Sequence, residues 1–83
     1  MNERIIELND IAPKEFWGAQ DSHLETIRKY YPKLKIVARG TTLKVFGEKA
    51  ELDEFEVRFN RLMVHFTRYN TIDTNVIDRV IQS

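Results

Sequence analysis

"KLKIVARGTTLKVFG", Lys33 to Gly47, decides the architecture. Leu34, Ile36 and Ala38 alternate with Lys35, Val37 and Arg39. After a Gly40-Thr41 turn, Leu43 and Val45 alternate with Lys44 and Phe46. A period of two is that of a strand with one covered face. Two such runs joined by a short glycine-containing turn predict an antiparallel hairpin. One of its faces is apolar, and the other carries Lys35, Arg39 and Lys44 around Val37 and Phe46.

Upstream, "RIIEL" (Arg4 to Leu8) is rich in β-branched residues and ends at a turn-like Asn9-Asp10, which predicts a further strand. In "IAPKEFW", Asp10 is a candidate cap and Pro13 suits a first helical turn, where its missing N–H is no loss. One or two turns of helix are expected there, stopped by Gly18. A second helix is expected from Ser22, where Ser22 and Glu25 fit a capping box. Its inward stripe is Leu24, Ile27 and Tyr31, and Pro32 ends it.

Downstream of Gly47, Leu52, Phe55, Phe59, Leu62, Phe66 and Tyr69 recur at intervals of three and four, the stripe of a long helix with one buried face. Asn70 suits a left-handed C-cap. Asp73 is the expected N-cap of a short last helix that packs through Ile77, Val80 and Ile81. The order β-α-α-β-β-α plus a terminal helix predicts an α+β fold: a two-layer sandwich with a three-stranded antiparallel sheet under helices.

The 83 residues allow one domain, and a chain so short buries only about 60% of its unfolded surface. Thirteen bases balance thirteen acids, so net charge selects no partner. The balance hides an asymmetry. From Arg28 to Lys49 there are seven bases and one acid, net +6, and the remainder carries −6. Such blocks can form an interaction face. Cysteine is absent, which excludes a disulfide scaffold and a thiolate metal site. No signal-like start and no apolar run of about 20 residues is present, so a cytoplasmic chain with no membrane partner is expected.

Catalytic patterns are missing. With three glycines and no Gly-Lys-Ser/Thr there is no phosphate loop, and His23 and His65 lack metal-site spacing. His23 is expected to be exposed in a first helical turn, His65 to serve structure beside the buried face, and Ser22 to be a cap rather than a nucleophile. The chain by itself is not expected to be an enzyme.

Gly18 poses the functional question: is it a cradle for a nucleic-acid strand, or a corner? The element order with Gly18 resembles the KH fold (type I order), whose GxxG loop joins two helices and clamps about four nucleotides of single strand. "WGAQDSHLETI" fits that frame, with Gly18 as first glycine, Ala19-Gln20 as the middle pair and Asp21 where the second glycine stands. A carboxylate there repels phosphate, so the clamp is degenerate.

"FWGAQDSHLETIRKYYPKLKIVARGTTLKVFGEKAELDEFE", followed by a long helix and "NTIDTNVIDRVI", further resembles the N-terminal region of PhoH-like proteins, from about Ile5 to Ile81. The resemblance implies that residues 1–83 form one KH-like domain ahead of a P-loop ATPase core absent from this chain. It implies a bacterial, cytoplasmic protein linked to RNA metabolism and phosphate starvation. ATP and Mg would belong to the absent core, leaving no cofactor for this chain.

Two functions follow as expectations. The first is single-stranded RNA binding by Gly18, Ala19 and Gln20, with Lys14, Arg28, Lys35 and Arg39 supplying charge and affinity falling steeply with salt. Exposed Trp17 or Phe46 would add stacking. The second is protein docking, onto the ATPase core or as a homo-oligomer, through the apolar patch of Val37 and Phe46.

Overall fold

A computed structural model describes all residues, Met1–Ser83. It shows three strands, β1 (Asn2–Glu7), β2 (Lys35–Arg39) and β3 (Thr42–Gly47), and four α-helices. These are α1 (Pro13–Trp17), α2 (Ser22–Tyr30), α3 (Lys49–Tyr69) and α4 (Thr74–Gln82), with a single 3-10 turn at Ala19–Asp21. The sheet order is β1-β3-β2, antiparallel throughout. The fold is therefore α+β with a three-stranded antiparallel sheet, and no helix is long and apolar enough to cross a membrane.

The predicted hairpin forms with the predicted faces. Ile36, Leu43 and Val45 are buried toward the helices, and Lys35, Arg39 and Lys44 face out. β1 joins the far side of β3 and contributes Ile6 to the covered face. Gly47 ends β3 against Leu34, whose Cδ2 would lie 2.4 Å from an added Cβ, so any larger residue there requires the Leu34 side chain to shift.

Above the sheet, α3 buries Leu52, Phe55, Phe59, Leu62 and Phe66. Tyr69 departs from the expected stripe: it is 58% exposed and leans on His65 at 4.6 Å between ring centres. It sits in the last turn, where the αL residue Asn70 reverses the chain away from the core. Asp73 caps α4 as expected, accepting the Val76 N–H at 2.9 Å, and Ile77 and Ile81 seat that helix. The Arg58 guanidinium donates to the Ile81 carbonyl, and the Tyr30 hydroxyl donates to Asp78 at 2.5 Å, so α4 is tied to α3 and α2.

Two expected caps do not form. Asp10 adopts a left-handed turn conformation, and Ala12 rather than Asp10 precedes the first helix. The capping box at Ser22 and Glu25 is replaced by a different entry. Asp21 holds the cap position at φ 58°, so Ser22 is already helical and its hydroxyl caps nothing.

Charge also links the layers. Arg4, on the covered side of β1, donates to Asp53 at 2.8 Å and to Glu56 on α3, and Lys49 donates to Asp53 at 2.9 Å. The Arg4 hydrogen bond, helped by Lys49, holds the Asp53 carboxyl below its ordinary range. A carboxylate with a depressed folded pKa adds stability above its unfolded value of about 4, and that stability is lost as pH falls through the folded value. Asp53→Asn should therefore flatten the fall in melting temperature between about pH 4 and pH 2, which thermal melts across that range would read.

Tyr31 offers a second test. Its ring packs edge-on to Phe55 at 4.9 Å, but its hydroxyl is buried with no hydrogen-bond partner, and desolvation pushes its pKa up. An unsatisfied buried hydroxyl is costly, so Tyr31→Phe should stabilise by on the order of 1 kcal/mol. A melting temperature higher by about 4–8 °C is the expected readout.

Candidate nucleic-acid interface

The site begins with a helix too short to stand alone. Five residues of α1 cannot hold a helix by their own hydrogen bonds. Burial of Phe16 and Trp17 anchors them instead. Trp17 is only 5% exposed, so it does not meet the condition of exposure on which its stacking on a base depended.

Gly18 then turns the chain at φ 79°, ψ 176°, a region essentially restricted to glycine. A Cβ there would meet Ser22 Oγ at 2.9 Å and the His23 ring at 3.0 Å. His23 is not the exposed residue expected. It is half-buried, and its Nδ1–H donates to the Phe16 carbonyl at 2.9 Å, satisfying an acceptor that the end of α1 leaves open. The corner is thus a built joint.

Beyond it, Ala19, Gln20 and Asp21 form an exposed tip. Gln20 (φ 55°, ψ 31°) and Asp21 (φ 58°, ψ 32°) are consecutive left-handed residues, each costing about 1–2 kcal/mol for an L-amino acid. Aspartate tolerates this conformation well and glutamine less so.

A cleft of about 390 Å³ runs between this corner and the β2–β3 turn. Pro13, Lys14 and Trp17 line one side, Asp21, Leu24 and Arg28 continue it, and Ala38 and Gly40 face them. Lys14 and Asp21 have no ion-pair partner within the chain, so one free cation and one free anion share the cleft. Arg28 is already engaged. It pairs with Glu25 and donates to the Ile36 carbonyl at 2.9 Å, closing the outer edge of β2.

The structure brings Lys14 and Arg28 together beside the corner, but not Lys35 and Arg39. Register puts those two on the sheet's outer face with Phe46 and Lys44, opposite the helices. Phe46 is partly covered there by the Lys35 ammonium, 6.0 Å from its ring centre. Sequence reasoning missed the walls that Leu24, Ala38 and Gly40 provide, because only tertiary packing sets the β2–β3 turn against α2. It also missed a basic surface inside the acidic remainder. Arg61, His65 and Arg68, without ion pairs, line a cleft of about 380 Å³ on α3 with Tyr69.

The joint has a direct test. Gly18→Ala should lower stability by on the order of 2 kcal/mol through backbone strain and crowding. Gly40→Ala, at an open turn with nothing within 4 Å of the added carbon, should cost less; paired urea melts compare them.

Comparison with known proteins finds no matching family model, no matching curated protein and no matching solved structure.

Proposed function

We propose that this chain is a non-catalytic KH-like domain of type I order, a two-layer sandwich that lays a short single strand of RNA along the cleft between the Gly18 corner and the β2–β3 turn. Its setting is the one the sequence resemblance implies, ahead of a PhoH-like ATPase core. The observation that carries the reading is the exposed Ala19–Asp21 tip, left-handed at Gln20 and Asp21, whose Asp21 lines a cleft with Trp17, Leu24 and the unpaired Lys14. Unusual backbone conformations cost stability, persist where the surrounding structure enforces them, and cluster at ligand clamps and other functional sites. The order β-α-α-β-β-α with β3 between β1 and β2 supports the same reading.

Charge in the cleft sets the expected strength. Lys14 is free and Arg28 is committed to Glu25 and Ile36, so about two phosphates at most are neutralised. Single strands lose about 0.7 log units of affinity per phosphate for each log unit of salt. A slope near −1.4 follows, or about a sevenfold loss between about 50 and 200 mM salt. This is shallower than the full +6 segment implies, because that charge is divided between two faces.

A second reading, protein contact, is favoured by one observation. Ile5 is 55% exposed on the outer sheet face, one row from Phe46 on the neighbouring strand and separated from Val37 by Lys44.

Anisotropy titration of labelled single-stranded RNA tests the first reading. Lys14→Glu should weaken binding and reduce the salt slope by about 0.7. Asp21→Gly should strengthen binding by removing the carboxylate from the phosphate path. Lys35→Glu, Arg39→Glu, Arg61→Glu and Arg68→Glu should leave affinity within about twofold at physiological salt, because none of these side chains lines the cleft and salt screens exposed charges outside it. Binding that tracks those four and ignores Lys14 overturns the cleft as the RNA site.

A further inference from the structure

The outer sheet face carries a pattern that the RNA cleft does not use. Cross-strand register arranges it in three rows: Glu3–Phe46–Lys35, Ile5–Lys44–Val37 and Glu7–Thr42–Arg39. Read down the strands, β1 presents Glu3, Ile5 and Glu7, and β2 presents Lys35, Val37 and Arg39. The acidic column and the basic column are thus matched residue for residue, with an aliphatic side chain in the middle of each.

They cannot reach one another within one chain. β3 separates them by two strand spacings, about 10 Å. None of Glu3, Glu7, Lys35, Arg39 or Lys44 takes part in an ion pair. Glu7 is partly occupied, accepting the Thr42 hydroxyl at 2.7 Å and the Thr41 hydroxyl at 3.4 Å, and Lys35 lies over the Phe46 ring.

We propose that the outer sheet face pairs with the same face of a second copy of this chain about a two-fold axis parallel to β3. Rotation about that axis keeps the rows in register and exchanges the columns. Glu3 of one copy then lies opposite Lys35 of the other, Ile5 opposite Val37, and Glu7 opposite Arg39, each twice. Phe46 meets Phe46 on the axis. Face-to-face sheets pack with their strands within about 30° of alignment, which this axis provides. An in-plane axis across the strands would set β1 on β1 and Glu3 against Glu7, so charge selects one orientation of the two.

One contact opposes the pairing. Lys44 sits on β3 and faces its own copy across the axis. The face is also small: three strands of about six residues span about 14 by 20 Å. That is well short of the roughly 800 Å² per partner of a stable complex. The dimer is therefore weak, with a Kd between about 10 µM and 1 mM.

This deepens the protein-contact reading and rests on it; it stands apart from RNA binding, which uses the other side of the sheet. The test is sedimentation of the full chain up to about 1 mM at low salt. Wild type should associate reversibly. Glu3→Lys with Glu7→Lys makes the face all basic, and Lys35→Glu with Arg39→Glu leaves Lys44 as its only base, so each double variant alone should associate at least about tenfold more weakly. Mixing the two should restore association as a heterodimer, an outcome that loss of folding cannot mimic. Lys44→Leu should strengthen the wild-type dimer. A wild type that is monomeric throughout, or reversals that leave association unchanged, would overturn the pairing. RNA titration of the monomeric variants separates the readings: retained affinity is expected, and self-association in a chain that ignores RNA would remove only the cleft assignment.

Discussion

Phe16 is the side chain on which the geometry depends. It is fully buried, and its ring meets three others edge-on: Trp17 at 5.0 Å, Phe59 at 5.7 Å and Phe66 at 5.4 Å. Phe55 stacks on Phe59 at 5.4 Å and extends the cluster along α3 toward Tyr31. Edge-on aromatic pairs contribute about 0.5–1.5 kcal/mol each beyond their burial. The cluster therefore does for α1 what its five residues cannot do through backbone hydrogen bonds. Once Phe16 is seated, the end of α1 has one position, its carbonyl receives His23, and the Gly18 turn follows.

The sheet beneath divides the remaining chemistry. Its covered face gives Ile36, Leu43 and Val45 to the core, and Ala38 to the wall of the cleft. Its outer face gathers acids on β1 and bases on β2. The +6 segment consequently does not act as one field. Arg28 is spent on the edge of β2, Lys49 pairs with Asp53, and Lys35, Lys44 and Arg39 face away from the corner. A positive block in a linear sequence is a statement about composition, and folding distributes it across surfaces that cannot serve one ligand.

Period was the most legible property of the chain. Alternation in Leu34 to Phe46 and the three-four spacing from Leu52 to Phe66 gave the correct faces, because burial imposes those periods directly. Pro13, Pro32, Asn70 and Asp73 marked boundaries through local backbone chemistry, and the structure keeps all four. Legibility failed where two local signals competed. Ser22 and Glu25 have the composition of a capping box, but the left-handed Asp21 takes the cap position, and its conformation is set by the corner that Phe16 anchors. Tyr69 has the right spacing and lies one turn past the last core layer. The separation of Lys35 and Arg39 from Lys14 was within reach of the same alternation, which puts those two on the sheet face opposite the helices, and the +6 total of the segment obscured it.

That leaves the meaning of Gly18. Its φ and ψ, with Ser22 and His23 against the position of any Cβ, account for the glycine completely as a corner. Glycine at this point therefore carries no separate weight for a phosphate cradle, since the joint demands it with or without a ligand. The weight falls on the next residues. A corner alone needs one unusual backbone conformation, yet this one has three in four positions, and the exposed Gln20 and Asp21 are held in theirs by turn hydrogen bonds from the Asp21 N–H to the Gly18 carbonyl and from the Ser22 N–H to the Ala19 carbonyl. The proposed binding role therefore rests on the left-handed Gln20 and Asp21 and on the unpaired Lys14 of the same cleft, and not on the glycine.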